Sequence, residues 1–229
     1  MIKEFFGKVK SMLGKLFVKQ DLKKYGDEIA MSDAMESAIS LWAHMYSNNA
    51  PWIDDNTQSL NLAAAIASEV ARMITLEFES EITNSARANY LNEQYKTLKR
   101  HLRQYTEYGC AKGGIVFKPY VSGENICFDA VQADNFFPIA YDSSGNITGA
   151  VFVERIIKGG RYYTRLEEHA QDKTTIKITN KAFVSRDENV LGEPITLEAV
   201  ERWASITPYT KPHSSREILS GQYERLSGS

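Results

Sequence analysis

Residues 107–120 read EYGCAKGGIVFKPY, and within this stretch the chain changes from helical to strand periodicity. Upstream of it, from about Asn84 to Cys110, apolar residues recur every three to four positions, which is typical of an amphipathic helix. The glycines of GCAKGG end that pattern, as they do at many helix C-termini. A strand is predicted to begin at Ile115, so this stretch separates a helical half from a strand-rich half.

Two shorter helices are predicted upstream. Ser32 is a good N-cap for a helix that runs to Tyr46. A further helix runs from about Leu60 to Ile74, and one of its faces is rich in alanine. Because small side chains let a partner element approach closely, we expect that face to be buried.

Between Leu76 and Ile82, apolar side chains alternate with Glu77, Glu79 and Glu81. A period of two predicts a strand with one acidic face. Carboxylates bind a divalent cation when they converge from several directions, and a linear row on one strand does not converge. A solvated strand face is therefore favoured over a metal site.

The first 24 residues predict a basic amphipathic helix, with seven lysines against two acidic residues, a local charge of +5. One interpretation is a helix that lies on a membrane surface or docks on a partner. The other, which we favour, is packing against its own domain or a neighbouring subunit, since apolar stripes at helical spacing mostly form core. The apolar stripe comprises Ile2, Phe5, Phe6, Val9, Leu13, Leu16 and Phe17.

Downstream of the glycines, short segments bounded by turn residues predict a β-meander. Alternating apolar and polar residues within it indicate a sheet with one buried and one solvated face. Helices followed by an antiparallel sheet make the expected fold class α+β. The predicted strands are 115–121, 125–131, 136–141, 147–157, 161–168 and 176–184.

The composition is that of a packed protein: apolar residues are 43% and charged residues 24% of the 229 residues. The net charge of −2 leaves −7 for the chain beyond residue 24, which argues against duplex DNA binding by a broad basic surface. The two cysteines, Cys110 and Cys127, have no paired metal-ligand spacing and are expected to be buried thiols.

No catalytic, metal-binding or cofactor-binding residue is predicted. The four histidines lie far apart and open no metal motif, and the GCAKGG glycines follow a helix, whereas a phosphate-binding loop precedes one. The remaining candidates are basic side chains that could contact DNA phosphates or a neighbouring subunit, although solvation is the ordinary role of such charges. They are Lys96, Lys99, Arg100 and Arg103 on the long helix, and Lys158 and Arg161 at a Gly-Gly turn.

Several segments, taken in order, resemble the portal (minor capsid) proteins of siphovirus-type phages and prophages of Gram-positive bacteria. The similarity covers roughly residues 1–205, and its most specific blocks are GGxVxKPY at 113–120 and ADxFxP at 133–138. The other segments are LWxxMY at 41–46, PW at 51–52, SLNLA at 59–63, FDxV at 128–131, GAVF at 149–152 and YYTRLExH at 162–169.

This resemblance implies a structural role rather than an enzymatic one. Portal proteins form a dodecameric ring at one capsid vertex, nucleate head assembly, dock terminase, scaffolding and head-completion proteins, and pass double-stranded DNA without reading its sequence. The expected location is therefore the virion, and the host cytoplasm during assembly, with no cofactor and no small-molecule substrate. The alternative from another class is a peripheral membrane or partner-binding module that uses the N-terminal helix.

The resemblance also implies a domain organisation. Residues 1–24 are the basic helix, 25–113 the helical part of a portal wing, and 114–205 its antiparallel β-rich part. Residues 206–229 are polar, do not resemble the family's continuation into the stem, and are expected to be disordered. Family members are about twice as long, so we expect a truncated form that lacks stem and clip and forms no closed, DNA-conducting ring.

Overall fold

The computed structural model describes residues 30–54, 56, 58–172, 174–188 and 190–206, together with the backbone of 209–212 and 223–224. The chain divides into two compact units. Unit 1 comprises residues 1–40 and 134–221, and unit 2 comprises residues 41–133 and 222–229. The predicted basic helix of residues 1–24 lies outside the described residues.

Within the described residues, three helices precede the strands, at the positions predicted for them. Helix α1 (Asp33–Tyr46) begins after Ser32, whose hydroxyl accepts a hydrogen bond from the Met35 amide at 3.2 Å, so the predicted N-cap is confirmed. Helix α2 spans Leu62–Thr75, and helix α3 spans Ala88–Lys112.

Helix α3 ends at Gly113, which has a φ of 81°. A Cβ atom at this position would lie 2.8 Å from the Trp42 ring, so both the left-handed backbone and the close approach of the indole require glycine. The glycines that mark the change of periodicity therefore end the helix, as the sequence predicts.

In unit 2, the C-terminal part of α1 is joined to α3 by side-chain contacts. The Tyr46 hydroxyl donates a hydrogen bond to the Glu107 carboxylate at 2.7 Å, and the Tyr46 ring meets that of Tyr108 edge-on. Burial, together with this bond, raises the pKa of Tyr46 well above its usual value.

The strands of unit 2 form a three-stranded sheet. Strands β1 (Ile115–Ser122) and β2 (Asn125–Gln132) make an antiparallel hairpin, and β9 (Tyr223–Glu224) pairs with the other edge of β1. Cys110 and Cys127, which were expected to be buried thiols, form no disulfide and are only partly buried. Burial raises the pKa of the Cys110 thiol.

Unit 1 is built on a six-stranded antiparallel sheet. Strands β3 (Phe136–Tyr141), β4 (Ile147–Lys158), β5 (Arg161–Gln171) and β6 (Thr175–Ser185) follow one another in space as in sequence. The short strands β7 (Glu193–Ile195) and β8 (Tyr209–Pro212) both pair with β6, at different points along it. The predicted α+β class, with helices followed by an antiparallel meander, is confirmed.

One face of this sheet carries the apolar core of unit 1. Phe137, Val151, Leu166 and Phe183 come from four adjacent strands and pack with Leu191, which follows β6. Because side chains alternate between the faces of a sheet, the residues on either side of these point to the opposite face.

The opposite face was expected to be solvated, and along β4–β6 this expectation is wrong. Glu154, Arg165 and Glu167 form an ion-pair network there, and Trp203, which is fully buried, donates its indole N–H to Glu154 at 3.2 Å. Trp203 belongs to a short 3₁₀ helix, Glu201–Trp203, which follows the predicted strands in sequence. This helical turn covers part of the face.

Two further expectations differ from the structure. The strand predicted over residues 76–82 is absent, because within the described part of unit 2 this segment follows α2 as turn and coil without strand pairing. In the tail expected to be disordered, residues 209–212 and 223–224 have strand backbone.

Candidate functional site

The outer face of α2, in unit 2, carries exposed apolar side chains. Leu62, Ile66 and Met73 are separated by four and seven residues, so at about 100° per residue they lie within about 40° of one another on the helix. Their exposed fractions are 61%, 62% and 58%. We call these three residues the α2 stripe.

The other side of α2 is also apolar. Ala67 and Ala71 are buried, and α2 packs against α3, so the predicted burial of the alanine-rich face is confirmed at these two positions. Ile74, which was placed on the same face, is half-exposed. A helix that is apolar on both sides is normally enclosed on both sides, yet the described residues enclose α2 only on its alanine side.

Apolar exposure continues beyond both ends of α2. Leu60 precedes the helix, while Leu76 and Phe78 follow it, and all three are exposed. Trp52 and Leu60 also line a pocket of about 390 Å³ with the first turn of α2. A cluster of exposed apolar side chains is typical of a site where another molecule binds.

Carboxylates lie within and beside this apolar surface. Glu69 lies on the same side of α2 as the stripe and pairs with Arg72 at 2.6 Å, and that bond holds the pKa of the Glu69 carboxyl below its usual value. Glu77, Glu79 and Glu81 are exposed on the segment that follows the helix.

Helix α3 holds this acidic segment in place. The Asn92 side chain accepts a hydrogen bond from the Ile82 amide and donates one to the Ile82 carbonyl, both at 2.9 Å. Lys99 donates to the Ser80 carbonyl at 3.0 Å. The glutamates therefore project from a backbone that is fixed by side chains rather than by a sheet.

The six predicted basic contact residues do not form one site. Lys96 is paired with Glu93 at 2.6 Å, and the Lys99 ammonium lies 5.3 Å from the centre of the Tyr95 ring in addition to binding Ser80. Arg100 and Arg103 are exposed on α3. These four residues belong to unit 2, whereas Lys158 and Arg161 belong to unit 1.

Lys158 and Arg161 face each other across the β4–β5 turn, where both are exposed. Their exposure leaves a role in binding open. Lys96 and Lys99 each bind another group of unit 2. They are therefore poorer candidates for contact with a DNA phosphate.

Unit 1 contains the arrangement closest to a catalytic pair. A ring nitrogen of His169 lies 2.7 Å from the Glu167 carboxylate, and the side chains of His169, Glu167 and Arg165 expose only 10%, 13% and 12% of their surface. The His169 ring packs edge-on against Phe152. Because these side chains are mutually hydrogen-bonded and mostly buried, the arrangement presents no reactive group at the surface.

Over the ranges that the structure describes, no group of three or more His, Cys, Asp or Glu side chains is placed to hold a metal ion. Among the three described helices, none is long and apolar enough to cross a membrane. Compared with protein-family models, curated proteins and solved structures, the chain shows no match.

The α2 stripe was not singled out by the sequence reasoning. Its signal was present as apolar residues at positions i, i+4 and i+11, but the alanines on the opposite side of the same helix dominated the prediction. Sequence periodicity shows which faces are apolar, and it cannot show which of two apolar faces is covered.

Proposed function

We propose that this protein is a structural subunit that associates with copies of itself through the α2 stripe, as part of the portal vertex of a tailed-phage capsid. The observation that carries the proposal is the exposure of Leu62, Ile66 and Met73 on a helix whose other side is already buried. In a symmetric assembly, a surface of this kind is covered by a neighbouring copy.

Burial of the α2 stripe would favour association. Covering the exposed part of each side chain of the stripe is worth about 1–2 kcal/mol, so the three together contribute several kcal/mol to an interface. Leu60, Leu76 and Phe78 extend the apolar area beyond the helix. Most of the net affinity is expected from this apolar centre, and the charged rim sets orientation.

The portal assignment rests on the order of sequence segments that resemble that family. An α+β fold with helices first and a meander second is compatible with the wing part of such a subunit. On this proposal, the chain acts through binding surfaces rather than catalysis, in the virion and in the host cytoplasm during assembly. Terminase, scaffolding and head-completion proteins are the proposed partners, together with DNA bound without sequence preference.

Sedimentation velocity over a series of protein concentrations tests the proposal. The wild-type chain should form species heavier than the 25.9 kDa monomer as its concentration rises. Ile66→Asp should weaken association roughly tenfold or more, because it would bury a carboxylate in an apolar contact.

Ile157→Asp is the matched control, since Ile157 is an isoleucine of similar exposure, 67%, at the end of β4 in unit 1. It should associate like the wild type. A wild-type chain that stays monomeric at all concentrations, or equal association of both variants, would contradict the proposal.

A further inference from the structure

We propose that the α2 stripe is covered by the N-terminal segment, residues 1–24, of a neighbouring copy. This inference rests on the proposed self-association and names the element of the second copy that fills the interface. Three properties support this pairing. They are the apolar lengths of the stripe and the segment, their opposite charges and the kind of contact they would make.

The apolar lengths are compatible. From Leu62 to Met73 the stripe extends over eleven residues, or roughly 16 Å of helix. In the N-terminal segment, the apolar stripe from Ile2 to Phe17 would extend over roughly 22 Å as a helix, so it is long enough to cover the α2 stripe. An amphipathic helix that lays such a face on an apolar surface is a common mode of recognition.

The charges are opposite. The segment has a local charge of +5, and its lysines lie largely between the apolar residues. Glu69 lies on the face of the stripe, between Ile66 and Met73 along the helix, and Glu77, Glu79 and Glu81 follow the helix; all four are exposed. When the apolar faces are in contact, lysines at the edges of the segment can reach these carboxylates, which would orient it and make the contact sensitive to salt.

In this inference the donor is a second copy, because the proposed function already places a neighbouring copy against the stripe. The segment and the stripe are different parts of the chain. A contact between different surfaces is heterologous, so each copy can give its segment to one neighbour and receive the segment of another. Such a contact propagates from one copy to the next. A two-fold contact between two stripes would stop at a dimer.

The test is zero-length carbodiimide cross-linking of the full chain, which joins a lysine amine to a carboxylate only when the two are in contact. Light chains and ¹⁵N-labelled chains are mixed in equal amounts as dilute protein and then concentrated. We expect cross-linked peptides that join lysines of residues 3–24 to Glu69, Glu77, Glu79 or Glu81, and that combine one light and one heavy chain.

Two variants make the result specific to the stripe. Ile66→Asp should remove these cross-links, whereas Ile157→Asp should keep them. Circular dichroism of both variants verifies that each remains folded, which is expected because both side chains are mostly exposed.

The outcomes separate this inference from the function on which it rests. If the chain oligomerises without these cross-links, the inference is wrong and self-association stands. If the chain stays monomeric, the proposed function fails. Cross-links found only within light or only within heavy chains would show that the segment covers the stripe of its own chain. If the full chain sediments with anionic vesicles and no cross-links form when vesicles are absent, a membrane is the favoured partner of the segment. That result would also overturn the inference.

Discussion

Arg165 joins three strands of the unit 1 sheet through a single guanidinium group. It donates to Glu154 on β4 at 2.7 Å, to Glu167 on its own strand at 2.8 Å and to Asn180 on β6 at 2.8 Å. Planar guanidinium geometry allows several such bonds at once. The arginine therefore neutralises two carboxylates that the sheet and Trp203 partly bury.

Replacing Arg165 by methionine should be strongly destabilising. Methionine fills much of the same volume, but it leaves the two carboxylates without their main cation. We expect the free energy of unfolding to fall by about 3 kcal/mol, the lower end of the range for a broken buried ion pair, because Glu154 retains its contacts with Arg202 and Trp203. Urea denaturation followed by circular dichroism measures this change.

The control for this prediction is Arg161→Met. Arg161 lies on the same strand but is exposed at the β4–β5 turn, so the free energy of unfolding should change by less than about 0.5 kcal/mol. Equal effects of the two substitutions would mean that the network contributes little to stability.

The segment between α2 and α3 is fixed by side chains of α3 instead of by a sheet. Its alternation of apolar residues and glutamates fits a strand, but a strand needs a partner edge. The Ile82 backbone is instead paired with the Asn92 side chain. Local pattern alone could not reveal this, because the deciding contact comes from a residue ten positions away.

Asn92→Ala should therefore loosen the acidic segment while α3 persists. With both bonds to Ile82 lost, we expect the Ile82 amide to exchange its hydrogen faster and protease cleavage within residues 76–84 to increase. Hydrogen exchange followed by mass spectrometry checks both α3 and the segment. Asn89→Ala, on an exposed position one turn earlier, should leave the exchange unchanged, and an equal effect of the two substitutions would exclude Asn92 as the anchor.

At the level of elements, the sequence predicts the longer features well and the short ones poorly. The three described helices and strands β1 to β6 agree with the predicted segments to within a few residues, because their periodicity extends over many positions. Strand β7 has three residues, one of them Pro194, and its place is set by pairing with β6. Trp203 was not assigned to any element, although its burial covers one face of the sheet.

The candidate site could be predicted only in part for the same reason. The alanine face of α2 follows from composition, and Ala67 and Ala71 are buried as expected. The exposure of Leu62, Ile66 and Met73 depends on which neighbours fold against the helix. No sequence feature within residues 60–76 shows which neighbours these are.

For the molecule as a whole, the two units have different roles in the proposed assembly. Unit 1 buries an apolar core on one face of its sheet and holds an ion-pair network on the other. Unit 2 leaves an apolar helix face uncovered, bordered by acidic residues. On this account, association between copies completes the burial that folding of a single chain leaves unfinished.

The central claim, that another copy covers the α2 stripe, is tested most directly by the rate at which peroxide oxidises Met73. Oxidation of a methionine depends on solvent access to its sulfur. Met35, on α1, is 50% exposed against 58% for Met73 and serves as the internal control. The intact chain is oxidised over a wide range of protein concentration, and its peptides are then analysed by mass spectrometry. The oxidation of Met73 should slow as the protein associates, while that of Met35 should stay constant. A Met73 rate that does not change while the protein associates would contradict the account.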